Sequence, residues 1–308
     1  MTLVEHVEHY VKFRRALGHA YLQQARCLQD YATYAEARGD RFVCSSTVLE
    51  WASTTPSPRQ AQVKLRYVCD LASVLHADDD RHEVPDRDAL GKARSRRPSP
   101  HLLSLTEIVQ IMDAALELPP TGSITPLTFH YILGLIAATG LRRSEATGLL
   151  LTDLTIDGLL IRNAKFGKRR LVPLDGSVHR AMDAYLRERK RCGGSDEHLF
   201  VLSTGRPMHP VYLSTVFVKL ARRVGLRAGP GQPGPRLHDL RHGFAVRALE
   251  STLAAERRDV ARHMLTLSTY LGHSNTADTY WYLEATPVLL RQVSQATERL
   301  HAGRQNDD

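Results

Sequence analysis

Leu271-Gly272-His273, with Tyr280-Trp281-Tyr282 a few positions further on, is the part of the sequence from which the rest can be interpreted. Gly272 is typical of a helix end, and Ser274-Asn275-Thr276 supply residues that cap a following helix. Taken alone, the histidine is typical of a turn and the two tyrosines of a helical core. His273 and Tyr282 acquire a chemical role only if cationic side chains elsewhere complete a site.

The first cationic candidate is Arg142, within Thr139-Gly140-Leu141-Arg142-Arg143-Ser144-Glu145. An apolar helix over residues 128–138 is predicted to end at the glycine, and a second helix begins with Glu145 in a place that the helix dipole favours. Backbone N–H groups at a helix start also favour anions, so Arg142 would lie beside such donors. Arg143 is expected to point elsewhere. The alternative is an ordinary turn with solvated arginines.

The second candidate is the pair His238 and Arg241, which follows a loop rich in Gly and Pro over residues 228–235. Residues i and i+3 share a helix face. Arg241 could therefore bind a phosphate while His238, with an ordinary pKa of ~6.5, transfers a proton. Two planar guanidinium groups from different segments could clamp both non-bridging oxygens of a phosphodiester. Asp239 and His242 in the same turn, and a plain surface helix start, remain alternatives.

A hairpin between these two motifs supplies a third candidate, Lys165. Residues 159–162 and 170–174 are predicted strands, with a glycine-bearing turn between them. A lysine at the tip could donate a proton to a leaving 5′ oxygen. Lys168, Arg169 and Arg170 are equally basic, so the hairpin could instead only touch phosphates. Residues 149–151 are predicted as a further short strand.

The spacing of apolar residues predicts a mainly α fold with a small antiparallel β-sheet, in two domains. Residues 1–80 are predicted to form an all-α module of four helices, 81–104 a basic linker, and 105–308 the second domain. The linker is either charged to stay solvated or a strap along a DNA backbone, which gives salt-dependent affinity. Its basic residues include Arg94, Arg96 and Arg97.

Bulk composition favours a basic protein that acts on a polyanion inside the cell. Lys and Arg total 41 against 33 Asp and Glu, a net charge of +8, and nucleic acid is the commonest partner of such a surface. The start of the chain lacks a signal peptide, and no apolar run is long enough to span a bilayer, which predicts a cytoplasmic protein. The four cysteines are Cys27, Cys44, Cys69 and Cys192. None of them form a CxxC motif, so the sequence indicates neither a zinc site nor a redox pair.

Together, these motifs resemble the tyrosine recombinase (phage integrase) family over roughly residues 105–290, and the helical N-terminal part is similar to the family's core-binding domain by architecture. The resemblance implies a metal-independent site with Glu145 in support. The catalytic set that it implies is Arg142, Lys165, His238, Arg241, His273 and Tyr282. Tyr280 and Trp281 are bulkier than the residues that many members carry before the nucleophile. Tyr280 therefore stays an alternative nucleophile, and the departure favours a transposon- or plasmid-borne branch of the family.

The family mechanism implies that Tyr282 attacks the scissile phosphate, giving a 3′-phosphotyrosyl link and a free 5′ hydroxyl. Neither a metal nor another cofactor is needed. The implied partners are double-stranded DNA and further copies of the chain, in a homotetramer on two sites, with a C-terminal helix over about 287–300 docking on a neighbour. A type IB topoisomerase and a catalytically silent DNA-binding relative are the alternatives. From their charge in the linker and the hairpin, the residues expected to contact the DNA backbone are Arg94, Arg96, Arg97, Lys168 and Arg169.

Overall fold

The computed structural model describes residues 1–91, 100–162, 169–192, 196–251 and 257–272, of which 257–261 are described by their backbone alone. The chain divides into two compact units, Met1–Pro98 and Ser99–Asp308. The boundary falls within the stretch predicted as a linker, whose basic residues Arg94, Arg96 and Arg97 lie outside the described residues.

The first unit consists of helices packed around one apolar core. Thr2 and Glu5 form a capping box at the first helix, and Ser57 caps the last one, with Pro58 at its first position, where its missing N–H costs nothing. Trp51 meets Tyr31 edge-on, with ring centroids 5.2 Å apart. The all-α prediction is confirmed. The helices are α1 (Leu3–Ala16), α2 (Leu22–Glu36), α3 (Ser45–Ser53) and α4 (Pro58–Asp78).

The segment after α4 folds back onto this unit as far as the described residues go. His82 is buried, and its Nδ1 accepts a hydrogen bond from the Val43 amide at 3.1 Å. The Cys69 thiol donates to the Pro85 carbonyl at 3.3 Å. At the other end of the predicted linker, Leu103 is buried in the second unit's core. Both described ends of residues 81–104 therefore belong to folded units.

We expect the first unit to lose stability as the pH falls below about 6.5, the ordinary histidine pKa. Burial, helped by the neighbouring His6, lowers the pKa of His82. The unfolded chain then binds more protons than the folded one in this range, so acid favours unfolding, by at most about 1.4 kcal/mol per pH unit for this group. Protonation at Nδ1 would also remove the acceptor for the Val43 amide.

Hydrogen exchange of the full chain, corrected for intrinsic rates, measures this effect on peptides around Val43. Protection there should decrease between about pH 7 and about pH 5.5, where histidine changes charge. His82→Gln is the matched control, because glutamine is neutral throughout. An identical pH dependence in both proteins would contradict the assignment.

The second unit is mainly helical with one small sheet. Strands β1 (Leu154–Thr155), β2 (Gly158–Ile161) and β3 (Arg170–Val172) are antiparallel in that order. In the β2–β3 pair, Leu160 lies opposite Leu171, which confirms the predicted hairpin strands. The helices are α5 (Leu105–Leu116), α6 (Ile124–Thr139), α7 (Arg143–Thr147), α8 (Gly176–Arg191), α9 (Pro210–Arg223), α10 (Leu237–Glu250) and α11 (Arg257–Leu271).

The strand predicted at residues 149–151 is wrong. Leu150 forms only an isolated bridge with His198, and residues 151–153 form a 3-10 turn. The cause is local, because the Asp153 carboxylate accepts a hydrogen bond from the Leu150 amide at 2.9 Å and turns the chain there.

Helix α6 is the centre of this unit and sets the position of the site. It is apolar on nearly all faces and packs against α5, α8 and α10, as expected for a helix inside a core. Its C-terminal end, Gly140, has φ +65° and sends the chain directly into α7. Within the described ranges, no helix is both long and apolar enough to cross a membrane.

Candidate DNA-cleavage site

Arg142 lies at the turn between α6 and α7, tied to Glu145. Its backbone amide donates to Glu145 Oε2 at 2.9 Å, and its Nη1 donates to Glu145 Oε1 at 2.8 Å. An acidic residue in the first turn of a helix stabilises the N–H groups there. The carboxylate thus fixes both the backbone and the side chain of Arg142.

The two candidate arginines meet at the end of α11. Arg142 Nη2 donates to the Gly272 carbonyl at 2.6 Å. Arg241 Nη2 donates to the Leu271 carbonyl at 2.7 Å, and its Nη1 donates to the Gly140 carbonyl at 2.6 Å. The last carbonyl groups of a helix lack partners within it and carry partial negative charge. The C-terminal ends of α6 and α11 therefore hold both guanidinium groups.

Arg142, His238 and Arg241 line one cleft of about 500 Å³. Arg241 is 1% exposed at the bottom, whereas the Arg142 side chain is 26% exposed. His238 is exposed at the start of α10, and its ring packs edge-on against His242 with centroids 4.4 Å apart. The structure thus brings together three of the predicted site residues, and their cationic groups suit an anionic ligand.

Two further arginines line the same cleft. Arg143, expected to point elsewhere than Arg142, donates from Nη1 to Ser214 Oγ on α9 at 3.1 Å, whereas Arg142 bonds Glu145 and Gly272. Arg236 precedes α10, and its amide donates to Asp239 Oδ2 at 2.8 Å. Asp239 is completely buried and caps the helix. The sequence signal for this cap is an acidic residue, Asp239, three positions after the residue that precedes the helix, Arg236.

Arg170 on β3 is a contributor that the sequence did not single out from its basic neighbours. Its Nη1 and Nη2 donate to Glu145 Oε1 and Oε2 at 3.0 and 2.8 Å. Burial would raise the pKa of Glu145, but hydrogen bonds from Arg170 and Arg142 outweigh it and hold that pKa below its ordinary value. Glu145 is therefore ionised at neutral pH, despite a side chain that is 3% exposed.

The remaining predicted site residues lie outside the described ones: Lys165, Lys168, His273, Tyr280 and Tyr282. Their roles stay predictions. Arg169 is described and exposed, directly before β3. Lys165 falls between the two paired strands of the hairpin, and His273 follows Gly272 in the sequence.

We expect Gly140→Ala to destabilise this unit more than Gly225→Ala does. Both glycines have a positive φ, +65° and +76°. An alanine in this backbone conformation lowers the free energy of unfolding by about 1–2 kcal/mol. Only at Gly140 would the new Cβ meet a neighbour, Phe244 Cδ1 at 2.5 Å, whereas Gly225 faces open space. Overpacking adds about 1–3 kcal/mol, and moving the Gly140 carbonyl disturbs Arg241.

Urea unfolding of the full-length variants gives both free energies. Equal losses at the two positions would show that the contact with Phe244 relaxes at no cost. The rate of the DNA cleavage that the sequence resemblance implies should also fall in Gly140→Ala only, since a Cβ on Gly225 would meet nothing within 4 Å.

Known proteins share both the sequence pattern and the fold. A model of the phage integrase family matches residues 102–287, more than half of the chain. The integrase/recombinase y4rB of Sinorhizobium fredii (strain NBRC 101917 / NGR234) is 35% identical, over 97% of this chain and 98% of that protein. The tyrosine recombinase XerD of Halalkalibacterium halodurans is 27% identical, over 92% of this chain and 93% of that protein.

Among solved structures, the Tn1549 transposon integrase in complex with transposon right end DNA has a similar fold. Its TM-score is 0.66 at 19% identity, and the match covers 98% of this chain and 100% of that chain. This likeness confirms the predicted mainly α fold with a small sheet. Given the family model and the relative at 35% identity, the chain belongs to the phage integrase family of tyrosine recombinases and is an enzyme that breaks and rejoins DNA.

Proposed function

We propose that this enzyme is a site-specific recombinase of a mobile element, and that it cleaves DNA through a 3′-phosphotyrosyl intermediate formed by Tyr282. The main support is the convergence of Arg142, His238 and Arg241 on one cleft, with both guanidinium groups held by helix-end carbonyls. Holding the arginines in place beforehand means that little reorganisation is needed when charge develops on the phosphate.

In the proposed reaction, Arg142 and Arg241 bind the non-bridging oxygens of the scissile phosphate. The phenol oxygen of Tyr282 attacks the phosphorus, and its proton passes to His238 as general base. The bond to the 5′ oxygen breaks, and Lys165 supplies a proton to that oxygen. A 5′ hydroxyl from the partner strand then attacks the phosphotyrosyl link and releases the tyrosine. Each step exchanges one phosphoester for another, so no nucleotide hydrolysis is required.

Exchange between two duplexes requires cleavage of four strands, and each copy of the chain offers one Tyr282. We therefore propose a tetramer on two DNA sites that exchanges strands in two steps, through a Holliday junction. The mobile-element context is supported by the likeness to a transposon integrase. His273 is proposed to donate to the phosphate. Backbone phosphates are proposed to bind Arg94, Arg96, Arg97, Lys168 and Arg169.

Trapping the covalent intermediate tests this function directly. The DNA site is first identified by selecting the sequences that the protein binds from a random pool. A duplex with this site is then prepared with a nick, so that the short fragment released by cleavage diffuses away and the adduct accumulates. A denaturing gel should show a DNA–protein adduct with the wild-type chain. Binding with no adduct would identify a silent relative instead. Relaxation of single-site supercoiled plasmids, without exchange between two-site plasmids, would identify a topoisomerase.

A further inference from the structure

We infer that Arg170 is a positioning residue for DNA cleavage, which orients Arg142 through Glu145 and joins the β2–β3 hairpin to the end of α11. The inference rests on the proposed role of Arg142 at the scissile phosphate. Arg170 differs from the other basic residues of the hairpin region because it faces into the protein. Its side chain is 13% exposed, whereas its neighbour Arg169 is exposed.

The contact between Arg170 and Glu145 has the paired geometry that gives arginine its directional strength. Two parallel hydrogen bonds of 3.0 and 2.8 Å join the guanidinium to the two carboxylate oxygens. Such a fork fixes the plane of the carboxylate as well as its position. A lysine at this position would keep the charge but could not form the fork.

Arg170 completes the set of donors around Glu145. Oε1 accepts from Arg142 Nη1 and Arg170 Nη1, and Oε2 accepts from the Arg142 amide and Arg170 Nη2. These donors occupy the roughly four lone-pair sites of a carboxylate. Without Arg170, two of those sites open, and the Arg142 guanidinium can rotate to form the fork itself. That rotation would break its bond to the Gly272 carbonyl.

Charge balance points the same way. Two guanidinium groups against one buried carboxylate leave this cluster with one net positive charge. Removal of the Arg170 charge leaves Arg142 and Glu145 as a neutral pair, which stabilises less the charge that develops on the phosphate during cleavage. Arg170 therefore lets Glu145 hold Arg142 without cancelling its charge.

The third contact of Arg170 is with the end of α11. A Cβ placed on Gly272 would lie 2.8 Å from Arg170 Nη1 and 3.3 Å from Arg142 Nη1. The two guanidinium groups thus pack together against the glycine whose carbonyl holds Arg142. Arg170 belongs to β3, one of the two strands between which Lys165 falls in the sequence. It therefore joins three parts of the proposed site: the hairpin, Glu145 with Arg142, and the end of α11.

The test compares Arg170→Gln and Arg170→Lys with Arg162→Gln in the full chain. Arg162 is the matched control because it also pairs with a buried carboxylate near the sheet, Asp153, and its other described hydrogen bond goes to Thr152, which is not a candidate site residue. For each protein, the single-turnover rate of adduct formation on the nicked site at saturating DNA is measured. The dissociation constant, its salt dependence and the thermal midpoint are measured alongside.

We expect Arg170→Gln to form the adduct about 100-fold more slowly, as for a misplaced catalytic group, with little change in the salt dependence of binding. Arg162→Gln should cleave at close to the wild-type rate, whatever its thermal midpoint. Arg170→Lys should fold and bind DNA, yet cleave at least about tenfold more slowly, since the fork is lost. If Arg170→Gln does not fold, Arg170→Lys decides.

A double variant tests whether Arg170 acts on Arg142 through Glu145. In a Glu145→Gln background, Arg170→Gln should add little further loss of rate, because the two residues act as one unit. Any one of three results would overturn the inference. They are cleavage by Arg170→Lys at the wild-type rate, additive losses of rate in the double variant, and a reduced salt dependence of DNA binding as the main effect of Arg170→Gln. Absence of an adduct with the wild-type chain would instead refute the proposed function.

Discussion

Tyr282→Phe is expected to form no covalent adduct with DNA, whereas Tyr280→Phe is expected to form it at close to the wild-type rate. Phenylalanine keeps the aromatic ring but lacks the phenol oxygen that attacks phosphorus. The two tyrosines are two positions apart, and in a helix such positions face different sides. If both belong to one helix, only one of them can reach the phosphate that Arg142 and Arg241 are proposed to bind.

The nicked substrate and the denaturing gel distinguish the two tyrosines. Both variants should retain DNA binding in a mobility-shift experiment, because binding depends on phosphate contacts made by cationic residues. The pair serves as its own control, since each substitution removes one phenol oxygen from the same short segment. An adduct with Tyr282→Phe, or its loss in Tyr280→Phe alone, would transfer the nucleophile role to Tyr280.

Arg241→Lys is expected to lower the rate of adduct formation by about 100- to 1,000-fold, the loss typical of one preorganised donor to a developing charge. Arg241 bonds the carbonyls of Gly140 and Leu271 with two different nitrogens. A single ammonium cannot reach both in the same geometry. The charge is kept, so the effect isolates the shape of the guanidinium. Stability should fall by about 1.5–3 kcal/mol per charged hydrogen bond lost.

Arg247→Lys is the matched control for Arg241→Lys. Arg247 lies on the same helix, and its Nη2 also donates to a carbonyl near the end of α6, that of Ala137, at 3.3 Å. Burial lowers the pKa of Arg247, so a cation at this position also carries a desolvation cost. Arg247 lines a different cavity from Arg241. Equal loss of cleavage in the two variants, measured well below their thermal midpoints, would show that Arg241 acts through stability alone.

The sequence was informative where the structure depends on neighbours along the chain. Arg142 and Glu145 are three positions apart, as are His238 and Arg241, and helical spacing predicts each relation. The glycine turn at Gly140 was predictable for the same reason. These local relations are also what the resemblance to the family uses.

The sequence could not reveal contacts between distant segments. The bond between Arg142 and the Gly272 carbonyl spans 130 residues, and every residue type has a carbonyl. Glu145 and Arg170 are 25 positions apart, and Lys168 and Arg169 offered the same charge. Which arginine faces inward depends on the register of β3 in the sheet, where one residue of slip reverses the face.

The carbonyl groups at the end of α11 couple the position of this helix to the binding of an anion in the cleft. They hold Arg142 and Arg241 in place, so an anion that needs both arginines binds more tightly when this helix end is docked. Coupling between two equilibria is reciprocal. A phosphate in the cleft must therefore strengthen the docking of α11 by the same factor. In the proposed reaction, the scissile phosphate would therefore stabilise the arrangement of α11 that holds the two arginines.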